Sequence, residues 1–138
     1  MKSAPFDKEA LIRRRLGQAR ETLRDAHVLS EQKGTPASVV NRSYYAIFYA
    51  VLALIGTMKK DVDTSKHKGV IAVFNQEFVK TGIFPKEMSK SLRRAFEARQ
   101  EGDYRASKID EPTARENLIA ADDFVSAVER YLLDRKFK

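Results

Sequence analysis

The sequence contains no cysteine, which excludes disulfide frameworks, thiolate zinc sites and cysteine nucleophiles together and fits a reducing, cytoplasmic setting. Histidine is nearly as scarce. His27 and His67 are the only two, and their separation of about forty residues argues against a histidine-rich metal site. No apolar run is expected to approach the roughly 18–20 residues of a spanning helix. Asp7 and Glu9, close behind Lys2, leave no room for the apolar centre of a signal peptide. A protein that is neither secreted nor membrane-spanning is therefore expected. Glycine-rich phosphate loops, nucleotide fingerprints, zinc spacings, serine nucleophile elbows and internal repeats are also missing. No cofactor and no metal are expected.

What is present is a chain of 138 residues, close to the usual size of one domain with one core. Its 26 lysines and arginines outnumber 19 acids, giving a net charge of +7, which makes attraction to polyanions physically plausible. Residues 1–84 carry 14 basic and 8 acidic groups, whereas residues 85–138 carry 12 and 11. The positive field is expected on the first helices.

Apolar residues recur with helical period throughout. Ile12, Leu16, Ala19, Leu23 and Ala26 form one stripe of a helix over Phe6–Gln32, with Arg13, Arg20 and Arg24 on another face, either solvated or a nucleic-acid footprint. Ser38 is a candidate cap for a second helix reaching about Met58, striped by Val40, Tyr44, Ile47, Val51 and Leu54. It is apolar nearly all round and needs cover on more than one side, in a bundle centre or a subunit interface. Ser65 can cap a third helix bearing His67, Ile71, Phe74 and Phe78, stopped at Gly82. Pro85 opens a fourth, with Met88, Leu92, Ala95 and Arg99 on one stripe and Gly102 as a weak point. Asp110 and Pro112 start a fifth, with Ala114, Leu118, Ala121, Val125, Val128 and Leu132 inward. The economical architecture is all-α, a four- to five-helix up-and-down bundle.

Three constellations carry possible chemistry. In Asn41-Arg42-Ser43-Tyr44-Tyr45-Ala46-Ile47-Phe48-Tyr49, Arg42 and Tyr49 are two helical turns apart, about 10 Å. Arginine there can hold a phosphate while Tyr45 and Tyr49 stack on or hydrogen-bond a base or sugar; the alternative is a tyrosine-rich core with Arg42 paired to an acid. In Ser65-Lys66-His67-Lys68-Gly69, a helix start offers amides, lysines and an imidazole to an anion; equally, His67 can close the apolar stripe. In Arg99-Gln100-Glu101-Gly102-Asp103-Tyr104, Arg99 and Asp103 are spaced for an ordinary salt bridge, or for an arginine that stabilises phosphate and a carboxylate that accepts a hydroxyl proton.

Taken in order, Asn41-Arg42-x-Tyr44-Tyr45-Ala46-x-Phe48, Lys66-His67-Lys68-Gly69, Phe78-Val79-Lys80-Thr81-Gly82 and Arg99-x-x-x-Asp103-Tyr104 resemble the HEPN domain family, in a poorly characterised prokaryotic subfamily, over roughly residues 36–133. The resemblance implies a four- or five-helix bundle, a homodimer, association with RNA or a nucleotide, and a minimal nucleotidyltransferase as partner in a toxin–antitoxin pair. Many members are metal-independent ribonucleases whose signature is an arginine followed, after four to six residues, by histidine. Here the corresponding positions after Arg42 and Arg99 hold Tyr49 and Tyr104. What the resemblance then implies for a ribonuclease is phosphate held by Arg42 and Arg99, protons moved by Asp103 or His67, and the nucleotide positioned by Tyr45, Tyr49 and Tyr104, with Lys68 beside them. A substitute role for His67 requires the fold to bring it beside one of the arginines. The other readings are a non-catalytic RNA- or nucleotide-binding module and a helical assembly protein.

Overall fold

A computed structural model describes residues 7–135; the expected helix start at Phe6 lies outside them. Among the described residues the chain forms five α-helices and no strand: α1 Lys8–Glu31, α2 Pro36–Ile55, α3 His67–Phe74, α4 Lys86–Tyr104 and α5 Glu111–Asp134. The all-α bundle expected from periodicity is what forms. Alpha1 is capped by Asp7, whose carboxylate accepts from the Ala10 amide at 3.0 Å, with Glu9 complementing the dipole in the first turn. Alpha5 starts in the same way, the Asp110 side chain accepting from the Thr113 amide at 2.9 Å.

Alpha2 is the central element, flanked by α1, α5, α4 and α3. Its cap is Thr35, not Ser38: the Thr35 hydroxyl accepts from the Ser38 amide. Pro36 is the reason, because proline prefers the first helical turn and so sets the cap three residues upstream of the serine. The helix ends at Ile55, short of Met58. At the following Gly56 a β-carbon would come within 2.8 Å of the Ile12 side chain, so only glycine lets α1 close on this end of α2. By length and composition α2 is apolar enough to cross a membrane, although Asn41, Arg42 and Ser43 interrupt its apolar run; two-thirds of that stretch, 67%, is buried inside the bundle.

Alpha3 also begins differently from expectation. Ser65 does not cap it: its amide donates to Asp63 in the preceding loop, and Lys66 precedes the helix without any side-chain cap. The helix widens after Phe74 into a π-type turn over Asn75–Val79, keeping Phe78 buried, and Gly82, at φ +84°, permits the reversal toward α4. Alpha4 runs through Gly102 to Tyr104 without a break.

Every inward position expected on α5 is buried, as are Met88, Leu92 and Ala95 of α4. The main core gathers Ile12, Tyr44, Ile47, Val51, Leu54, Phe74 and Phe124. A smaller cluster of Ala26, Val39, Val40, Ile109, Ala114 and Leu118 closes the other end of α2. Across α1 and α5, Arg20 pairs with Glu129 and His27 with Asp122 at 2.7 Å, so Arg20 joins helices and is not part of a free basic face.

Phe124, only 1% exposed, packs its ring 5.3 Å from that of Phe74. Phe124→Ala should lower stability by about 3–5 kcal/mol through lost burial and the cavity left behind, read as a shifted denaturant midpoint with unchanged slope.

Candidate functional site

Where α4 crosses the middle of α2, the polar residues of α2 and the start of α3 meet. The Arg99 side chain is only 17% exposed, because an arginine on the inward stripe one turn before the helix end must lie against α2. Its guanidinium carbon sits 5.0 Å from the ring centre of Tyr44, 5.5 Å from Phe96 and 5.9 Å from Tyr45, within cation–π range of all three. Nη1 donates to Asp103 at 3.0 Å. Nε is buried and has no hydrogen-bond partner among the described residues. A buried, unsatisfied donor costs about 1–3 kcal/mol, so an ordered anion arriving at this guanidinium would relieve a penalty already present in the fold.

Tyr44 is fully buried, and its hydroxyl lies 2.8 Å from Nδ1 of His67. Phe48 stacks on the imidazole at 4.3 Å, and Tyr45 meets it edge-on at 5.8 Å. Burial pushes the Tyr44 phenol well above its ordinary range, only partly offset by the Arg99 charge. The same two influences act in one direction on His67: desolvation first, then the Arg99 cation, hold it below the ordinary 6.5. Arg42 flanks the wall on its other side, its guanidinium 5.4 Å from the Tyr45 ring. Among the described residues Arg42 is not paired to an acid; Nε and Nη2 both donate to the Asn41 side-chain oxygen, at 3.0 and 2.8 Å. An open groove lined by Ser38, Asn41, Arg42, Gly102 and Asp103 continues from this wall toward the start of α2.

The fold thus brings Arg42, Tyr45, His67, Arg99 and Asp103 together. Tyr49 borders them, its ring 6.2 Å from that of Tyr45. Lys68 is exposed in the first turn of α3. Tyr104 stands apart at the end of α4, 88% exposed. Tyr44, Phe48 and Phe96 complete the wall; Tyr44 and Phe48 belong to the motif on α2 without a site role assigned to them, and Phe96 lies outside the motifs. The signal lay in the Tyr44 hydroxyl: a tyrosine on a core stripe needs a polar partner inside, and histidines are few.

The arrangement defines an all-helical protein with a semi-buried arginine set in a tyrosine–histidine wall and a carboxylate at its edge. Residues 12–131 match the model of the HEPN domain, and the chain belongs to that family. The match takes in α1 as well as the helices that carry the motifs. The chain is similar to a UPF0332 protein of Thermotoga maritima, 41% identical over 131 residues that cover 94% of this chain and 97% of that one. It is also similar to two Methanocaldococcus jannaschii proteins, each named "putative toxin". One is 34% identical over 70% of this chain and 65% of its own length, the other 32% over 83% of both. Where the family signature expects histidine after the α4 arginine, this chain has Tyr104; its histidine reaches Arg99's aromatic wall from α3.

A histidine whose folded pKa is lowered leaves the folded protein with fewer bound protons than the unfolded chain. The stability contributed by the neutral ring is present above about pH 6.5 and is lost as pH falls through the lower folded value. Denaturant midpoints of the native protein should therefore decline below about pH 6.5, and those of His67→Gln should decline less; parallel curves would contradict the assigned environment.

Proposed function

We propose that this HEPN protein is a toxin-type, RNA-directed protein that binds single-stranded RNA along the Arg42–Tyr45–Arg99 wall and cleaves it without a metal ion. The observation that carries this reading is the Arg99 guanidinium, dehydrated over three rings with its buried Nε unpartnered. A phosphodiester is the anion whose neighbours suit the rest of the site, since Tyr45 offers a stacking surface to a base and Arg42 a second cation to the adjoining phosphate. The toxin names of the two archaeal relatives support the same direction.

In the cleavage step, the ribose 2′-oxygen attacks the adjacent phosphorus and its proton passes to the Asp103 carboxylate. The bond from phosphorus to the 5′-oxygen breaks, and that oxygen takes a proton from water. The products are a 2′,3′-cyclic phosphate and a 5′-hydroxyl. Arg99 and Arg42 stabilise the charge that grows on the non-bridging oxygens, a contribution worth about 10²–10³ in rate for one well-placed donor. A second copy of the chain and a nucleotidyltransferase are the partners consistent with this reading.

A specific observation favours a second reading. Asp103 is already engaged with Arg99 at 3.0 Å and Tyr104 stands at the family's histidine position, an arrangement suited to holding RNA without cutting it.

Incubation of the purified protein with single-stranded RNA in EDTA separates the two. Cleavage leaving cyclic phosphate ends, slowed by about 10²–10³ in Arg99→Ala at unchanged helical content, is the expected result. Intact RNA that still binds in a salt-sensitive manner would overturn cleavage and leave the binding module. Absence of binding at low salt would overturn both.

A further inference from the structure

Tyr44 is 0% exposed, and among the described residues its hydroxyl has one hydrogen-bond partner, Nδ1 of His67 at 2.8 Å. A buried phenol must place its proton on an acceptor, and burial keeps this phenol protonated. Among the described residues the acceptor it meets is Nδ1. The Tyr44 O–H therefore donates, and Nδ1 must present its lone pair. A neutral imidazole that accepts at Nδ1 carries its proton on Nε2.

We infer that Tyr44 is a positioning residue that locks His67 in the Nε2–H tautomer, so that His67 offers a bound RNA phosphate a neutral hydrogen-bond donor and does not act as a proton acceptor. The part concerning RNA rests on the functional reading above; the tautomer does not. Protonating Nδ1 would turn it into a second donor facing the Tyr44 proton, and it would place a positive charge beside Arg99, which shares the Tyr44 and Tyr45 rings with His67. Rotation of the ring to exchange its nitrogens is opposed by Phe48, stacked at 4.3 Å, and by the edge-on Tyr45. Nε2 makes no hydrogen bond among those of the described residues, which leaves its N–H for a ligand. The assignment also explains how a site that lacks the family's usual histidine keeps an imidazole without using it as a base: proton acceptance falls to Asp103, and His67 adds an uncharged donor to the two arginines.

The test uses protein labelled with ¹⁵N in histidine, at a pH above 7. For His67 we expect a protonated Nε2 and an unprotonated, hydrogen-bonded Nδ1, with Tyr44→Phe shifting the ring to a mixture of tautomers. A wild-type His67 protonated at Nδ1 would overturn the inference. RNA affinity supplies the second readout. Glutamine can donate from the position of Nε2 but cannot serve as a base. His67→Gln should therefore bind RNA about tenfold or more tightly than His67→Ala, the scale of one hydrogen bond to a charged group, and should cleave faster by a similar factor. Equal loss of cleavage in the two variants, with restored binding in His67→Gln, would make His67 the proton acceptor and overturn the donor role. The nitrogen spectrum needs no RNA, so failure of the RNA reading would leave the tautomer to be decided on its own.

Discussion

A helix that is apolar nearly all the way round is stable in water only if other elements cover it, and α2 imposes that condition on the rest of the chain. Tyr44, Ile47, Val51 and Leu54 cannot face solvent, so the other helices are arranged around them. The same constraint decides where chemistry can reside. Polar residues on a central helix are forced into the seams between its neighbours, and Arg42, Tyr44 and Tyr45 fall in the seam closed by α3 and α4. Position in the bundle, more than any local motif, makes them a site.

Within that seam, desolvation governs the electrostatics. Arg99 is held by ring faces and one carboxylate, burial and then Arg99 bias His67 toward its neutral form, and Tyr44 keeps its proton because burial outweighs the pull of the Arg99 charge on the phenolate. Such interactions are stronger away from water than on the surface. Local geometry also outweighs overall charge. The basic excess lies in the first 84 residues, yet Arg13 is tied to Glu9 and Arg20 to Glu129. The dehydrated cation belongs to α4, in the nearly neutral remainder of the chain.

Much of the fold was legible in the sequence because burial imposes helical period directly. The stripes of α1, α4 and α5 could be read residue by residue, and α2's need for cover on several sides followed from its composition. Boundaries were less legible where two signals compete: Pro36 overrides Ser38 at the start of α2, and Asp63 draws Ser65 into the loop before α3. The widened turn after Phe74 left no mark in the spacing of Phe74 and Phe78, which a regular helix would share. The site was visible in parts. Arg42, Arg99 and Asp103 stood out by residue type and spacing, whereas the Tyr44–His67 contact joins residues 23 apart on different helices and required the fold. Tyr104 shows the opposite case, conspicuous in the motif but 88% exposed and outside the aromatic wall.

On the function proposed, the aromatic-bound arginine of α4, and not the more numerous arginines of α1, receives the RNA phosphate. The ¹⁵N signals of arginine Nε groups distinguish the two while a 2′-O-methyl oligonucleotide, which cannot undergo the cleavage step, is titrated into the labelled protein. Arg99 Nε–H should shift with saturation and become protected from solvent exchange as it gains a partner beyond those of the described residues. Shifts confined to the arginines of α1, with Arg99 unmoved at saturation, would contradict it.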